Sequence, residues 1–141
     1  MKQETIELVQ TSWTKVAAMA PQAAALFYQH LFRADPSLQP LFQGNMTQQG
    51  KMLMAMIGTA VSQLHELDSL VPVLQELGRR HAGYGVRDSH YPTVGAALLK
   101  TLEQGLGAEF TRPVQEAWAE VYEVMTTVMI AAAKADASRI G

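Results

Sequence analysis

The chain has 141 residues, 48% of them hydrophobic and 17% charged, a length and balance that suit one domain with a real buried core rather than two domains or a disordered segment. Its net charge of -2 leaves no electrostatic footprint for nucleic acid or an anionic membrane, and the pair Arg79-Arg80 is too small to reverse that. Cysteine is absent, which excludes disulfides, iron–sulfur clusters and thiolate zinc sites, so any metal would rest on His, carboxylate, Met or Tyr.

The N-terminal stretch MKQETIELVQTSW places one lysine before acidic residues and lacks the apolar core of a signal peptide, so a cytoplasmic location is the expectation. Helical spacing then recurs along the chain. Ile6, Val9, Trp13 and Val16 follow the 3 and 4 step of a helix buried on one side, and Ala24, Phe27 and Leu31 repeat it after Pro21. Asp35-Pro36 reads as the cap and first turn of a short helix ending near Phe42. After the turn-prone QGN at 43–45, Leu53, Met56, Ile57, Ala60, Val61 and Leu64 form a wide stripe, the clearest long helix.

Ser69 is the expected cap of the next helix, with Pro72 in its first turn and Leu70, Leu74, Leu77 and His81 on one face. Gly83 and Gly85 end it. Asp88 or Ser89 restarts a helix through Val94, Leu98 and Leu102, broken by Gly105 and Gly107. Thr111 and Pro113 open the last one, which carries Val114, Trp118, Val121, Met125 and Val128. Its run VMTTVMIAAA at 124–133 is about half the ~20 residues that a membrane helix needs. No strand pattern competes, so the expectation is an all-α domain of about seven helices joined by short turns.

Among residues that carry chemistry, His81 lies one turn beyond Leu77 on the apolar face. It reads either as a satisfied core histidine or as a metal ligand, with the Leu77 carbonyl placed to accept its other ring N–H. His90 falls in a first turn, while His30 and His65 sit among polar neighbours and read as solvated. A zinc site from His81, Asp88 and His90 matches no standard spacing. Tyr28 and Gln49 each end an apolar face with a polar group, Phe42 reads as a core aromatic, and Met52 and Met56 share a face that reads as packing. No nucleophile triad, phosphate loop or dinucleotide fingerprint is present.

Taken together, LGRRHAGYGV, HYPTVGAALL, the LG and FT pairs at 106–111 and the AW and VY pairs at 117–122 resemble the globin family. The likeness is to single-domain bacterial globins related to the flavohaemoglobin haem domain and to neuroglobin-like proteins, and it spans nearly all of residues 1–141 as one domain. It implies a three-over-three helical sandwich around haem b, iron protoporphyrin IX. It also implies His81 as the proximal iron ligand and Phe42 as the aromatic stacked on the porphyrin, with Tyr28 and Gln49 as the distal hydrogen-bonding pair and Leu53 as the apolar distal residue. Leu77, Val86 and Val94 fall at haem-facing positions, Arg80 at a propionate, and Tyr91 on a tyrosine of the flavohaemoglobin proximal network.

Two departures qualify the likeness: Gln49 stands where neuroglobins have a second iron-binding histidine, and Ala133 stands where flavohaemoglobins have the network's glutamate. The expectation is therefore an open sixth position for O₂, CO or NO and a protein of oxygen binding, transport or storage. The alternative is a nitric oxide dioxygenase served by a separate reductase, since the 141 residues hold no flavin or nicotinamide domain. A gas sensor and a haem-free helical interaction module are the remaining readings.

Overall fold

The computed structural model describes residues 1–42 and 44–140, with residues 136–140 as backbone only. Six α-helices are present among them: α1 (Gln3–Ala17), α2 (Ala20–Ala34), α3 (Met46–Ser62), α4 (Leu67–Gly83), α5 (His90–Leu106) and α6 (Arg112–Ile140). Between α2 and α3 lies a six-residue 3₁₀ helix, Pro36–Leu41, and single 3₁₀ turns follow α3 and α5. No strand occurs among the described residues. The seven expected helices are the six α-helices and the Pro36–Leu41 segment.

Local chemistry sets most of the boundaries. Asp35 accepts the Ser37 N–H at 3.0 Å and opens the 3₁₀ helix, and Asn45 Oδ1 accepts the N–H groups of Thr47 and Gln48 at the start of α3. Thr111 Oγ1 accepts the Val114 N–H at the start of α6. One expected cap is displaced: Ser69 does not start α4, which begins at Leu67 with Glu66 before it, and Pro72 lies inside the helix, beyond the first turn. The preceding 3₁₀ turn, Leu64–Glu66, feeds straight into α4 and removes the need for a side-chain cap at Ser69. Leu64 likewise belongs to that turn and not to α3.

The helices form a three-over-three sandwich, with α1, α3 and α4 over α2, α5 and α6. Its core runs from Val9 and Val16 through Leu31, Leu70 and Leu102 to Trp118 and Val121, all fully buried. Trp118 Nε1 donates to Ser12 Oγ at 2.8 Å and Ser12 Oγ donates to the Leu8 carbonyl at 2.7 Å, so α1 and α6 share one satisfied buried bridge. Where α4 crosses α6, any Cβ at Gly78 would strike the Met129 carbonyl, so the crossing requires glycine. By contrast α3 and α4 scarcely touch.

Two side chains depart from expectation. Met52 is 59% exposed, and it is Met54 that packs on the core. His30 is half-buried, its Nε2 2.7 Å from Gln104 Oε1, and it ties α2 to α5.

Candidate functional site

Leu70 and Leu74 anchor α4 in the core, and the same face carries Leu77 and His81 to the open side. His81 Nδ1 stands 2.9 Å from the Leu77 carbonyl. A carbonyl only accepts, so Nδ1 carries the proton and Nε2 keeps its lone pair. Burial lowers the His81 pKa, the Leu77 bond opposing it, so the imidazole is neutral near pH 7 and fit to ligate a metal.

Beyond His81 the backbone reverses: the N–H of Tyr84 returns to the carbonyls of Arg80 and His81, and that of Val86 to His81 at 3.0 Å. Gly85 makes the reversal with φ +95°, a left-handed conformation that glycine takes without strain. A Cβ there would meet Leu41 at 3.3 Å, so the loop after His81 folds against the residue preceding Phe42.

Opposite α4, Tyr28 occupies the middle of an aromatic group. Its ring lies 5.3 Å from Phe27, 5.4 Å from Phe42 and 5.9 Å, stacked, from Phe32. Phe32, also 5.4 Å from Phe42, is a site residue that periodicity missed; its position one turn after Tyr28 was the available signal. Tyr28 is 8% exposed, and its hydroxyl makes no hydrogen bond among the described residues. Burial pushes its pKa up to about 12, so the hydroxyl is a proton-bearing donor at any ordinary pH.

The α2–α3 crossing delivers the rest of this wall. Gly50 seats against Ala24 and the Tyr28 ring, which places Gln49, half-buried, one residue before the contact and Leu53 within three after it. Leu53 and Phe27 then line one apolar cavity. Phe42, Leu53, Leu77, Val86 and Val94 are all half-buried, packed on the core yet left uncovered on the open side.

The structure does not join every predicted site residue. Arg80 is exposed, with its Nε 3.3 Å from Glu76. Tyr91 is buried and has no side-chain bond to His81, whose Nδ1 is used by Leu77. The hydroxyl that reaches Tyr91 is Tyr122, donating to the Tyr91 carbonyl at 2.6 Å. His90 Nδ1 accepts the Arg87 N–H at 3.0 Å and Asp88 pairs with Lys134 at 3.3 Å. Among the described residues, no three His, Asp or Glu side chains gather where a metal could sit, so His81, Asp88 and His90 do not form a zinc site.

These features fit haem. A flat apolar macrocycle would find the half-buried apolar side chains Phe42, Leu53, Leu77, Val86 and Val94, its iron could be met by the neutral His81 Nε2, and the Tyr28 hydroxyl could serve as a donor to a gas.

Residues 25–129 match the sequence profile of the globin family, and the chain belongs to that family. It is 27% identical to the flavohaemoprotein of Bacillus thuringiensis subsp. konkukian over 133 residues, which is 92% of this chain and 33% of that protein. With the flavohaemoprotein of Bacillus cereus the identity is 28% over 130 residues, 90% of this chain and 32% of that protein. The chain thus spans about a third of the length of these curated relatives.

Solved structures share the fold. An engineered carbene transferase from Rhodothermus marinus, a candidate nitric oxide dioxygenase, superposes with a TM-score of 0.88 at 21% identity, covering 99% of this chain and 98% of that one. A bacterial globin from Campylobacter jejuni gives 0.83 at 23% identity, covering 97% and 99%. A flavohaemoglobin from Malassezia yamatoensis with bound FAD and haem gives 0.78 at 22%, covering 94% of this chain and 36% of that one.

Proposed function

We propose that this globin is a cytoplasmic protein that holds haem b through His81 and reversibly binds a diatomic gas, O₂ first, with CO and NO as further ligands. When bound, haem would supply an iron able to take a diatomic gas, and His81 would be the residue that holds it. The observation that carries the reading is His81 itself: neutral, fixed by Leu77, with Nε2 uncommitted at the edge of an apolar cleft. Without a cysteine in the chain, the cofactor is held by that bond and by apolar contact, to which Phe42, Leu53, Leu77, Val86 and Val94 contribute. Arg80, exposed beside the cleft, is the cation for a haem carboxylate.

On the gas side Tyr28 would donate a hydrogen bond, and Gln49, half-buried next to the Gly50 contact of α3 with α2, would be the second polar group. Phe27, Leu53 and Phe42 exclude water, which would compete for that donor. A hydrogen bond to a group bearing charge contributes about 1.5–3 kcal/mol, enough to slow gas release by one to two powers of ten. The resulting behaviour is tight binding and slow release, suited to storage or scavenging.

The test is the absorption spectrum of the purified protein, ferric, reduced and under O₂ and CO. A Soret band that shifts with each gas supports the reading, and the absence of any Soret band refutes it.

A second reading is dioxygenation of nitric oxide, favoured by the Rhodothermus marinus neighbour's description. It requires a reductase to restore the ferrous state. Sustained NO consumption when a reductase and reduced nicotinamide are added separates it from simple gas binding, which consumes NO once per haem.

A further inference from the structure

A buried tyrosine hydroxyl is ordinarily aimed by the bond it makes, as that of Tyr122 is by the Tyr91 carbonyl 2.6 Å away. Tyr28 has no such bond, since burial alone acts on its phenol and no described group accepts its proton. Its direction is therefore set by what encloses its ring. Phe27 and Phe42 meet that ring edge to face, each at 70°, and Gly50 lies past one edge, where a Cβ would come 3.9 Å from Tyr28 Cε2. The flat face is covered by Phe32, whose ring is inclined to it by only 15°.

Phe32 differs from the other two rings in what it joins. It stands one turn after Tyr28 on α2, the i and i+4 spacing that brings side chains of a helix into contact. It also meets Phe42, beyond the 3₁₀ helix, at 5.4 Å and 70°. Tyr28, Phe32 and Phe42 thus close a triangle in which each ring touches the other two. Taking Phe32 away uncovers the face of Tyr28 and removes one of the two ring contacts that Phe42 makes with α2. Phe32 has no polar atom to offer a ligand, so any effect it has on a hydrogen bond passes through Tyr28.

We propose that Phe32 is a positioning residue for the Tyr28 donor: stacked on that ring and braced against Phe42, it holds the hydroxyl in one direction before any ligand arrives. This rests on the gas-binding reading above. A donor fixed in advance loses no conformational freedom when the ligand comes, whereas a swinging one is shared between directions that meet the ligand and directions that miss it. Phe32 therefore governs the retention of a gas that draws charge and accepts a hydrogen bond, as O₂ does, and has little hold over CO, which accepts weakly.

Phe32→Leu keeps an apolar side chain but removes the flat face, and Phe32→Tyr restores the face. In the holoprotein Phe32→Leu should speed O₂ release about three- to tenfold, part of what is expected from losing the donor altogether, while CO release stays within about twofold. The C–O infrared stretch of the CO complex reads how the donor polarises the ligand; it should move toward its frequency in Tyr28→Phe or split into two bands. Phe32→Tyr should keep the wild-type rate and band. In a Tyr28→Phe background Phe32→Leu should add nothing to O₂ release, because its effect passes through the hydroxyl. An unchanged rate and band in Phe32→Leu, or the same acceleration with and without the Tyr28 hydroxyl, would overturn the proposal. If Phe32→Leu does not fold, Phe32→Met carries the same test. One reading needs no haem: with carbon-13-labelled tyrosine in the protein as purified, the Tyr28 ring should flip at least about tenfold faster in Phe32→Leu, its packed face released. An unaltered flip rate also overturns the proposal, whereas a wild-type protein without a Soret band refutes the haem reading separately.

Discussion

On the α5–α6 side Tyr122 lies against Gly95, where a Cβ would meet its ring at 2.6 Å, and its hydroxyl donates to the Tyr91 carbonyl. On the α2–α3 side Tyr28 lies among Phe27, Phe32 and Phe42, and its hydroxyl donates to no described group. Burial raises the pKa of both phenols, so both stay protonated. The difference is whether the donor is already used. At Tyr122 it closes a helix contact and belongs to the scaffold; at Tyr28 it is available, and an available donor in an apolar wall points to a ligand. The histidines divide the same way: His90 uses Nδ1 to accept the Arg87 N–H, while His81 keeps Nε2 free.

Substitutions on the two sides should accordingly fail in different ways, the largest effects coming from the groups with the most specific duty. His81→Ala should cost haem affinity more than about a hundredfold, beyond the 10–100-fold typical of losing a mere outer partner of a metal ligand. The apoprotein should still fold, because the His81 ring bonds only to its own helix; haem retention on gel filtration and circular dichroism read the two outcomes. Retention of five-coordinate ferrous haem would show that another residue is the ligand. Gly78→Ala should do the reverse. Forcing a Cβ onto the Met129 carbonyl separates α4 from α6 and should lower stability by about 3 kcal/mol, the upper end for overpacking, measured by urea denaturation.

The scaffold was far more legible in the sequence than this distinction. Stripes such as Ile6, Val9, Trp13 and Val16 give their helices away because one-sided burial repeats every 3.6 residues. The Leu77 bond to His81 was also foreseeable, since a carbonyl one turn back is always within reach of a helical imidazole. Ser69 misled because a 3₁₀ turn joined to a helix needs no side-chain cap. Met52 misled because two methionines four apart share a face whether that face is covered or not. Tyr28 and Tyr122 are each a tyrosine on an apolar stripe, and whether a hydroxyl meets a carbonyl depends on which helix crosses it, a long-range fact that local spacing does not contain. The cavity behind Phe27 is equally invisible to periodicity, because it arises where four apolar faces meet without filling the space.

Removing each hydroxyl tests the comparison directly. Tyr28→Phe should speed O₂ release at least about tenfold while leaving stability within about 0.5 kcal/mol, since no internal bond is lost. Tyr122→Phe should cost about 1 kcal/mol of stability, one net hydrogen bond, and leave O₂ release unchanged. Stopped-flow displacement of O₂ by CO and chemical denaturation of the same two proteins suffice. If the two variants behaved alike, the division between a used and an available hydroxyl would have no functional content.

The smallest expected effect is a null one, and it follows from the same hydroxyl. Burial raises Tyr28 from 10.0 to about 12, so the folded chain holds this proton more tightly than the unfolded chain does. A raised pKa contributes stability that is fully present below pH 10 and is lost as the pH climbs from 10 toward 12. The donor is therefore intact from neutrality to pH 10, and the O₂ release rate should be flat over that range, rising only as the phenol ionises near 12. Tyr28→Phe should be flat throughout at its faster rate. A wild-type rate that rose well below pH 10 would mean that the phenol ionises early in the haem-bound protein, which would require a cation or the iron itself to favour the phenolate against the cost of burial.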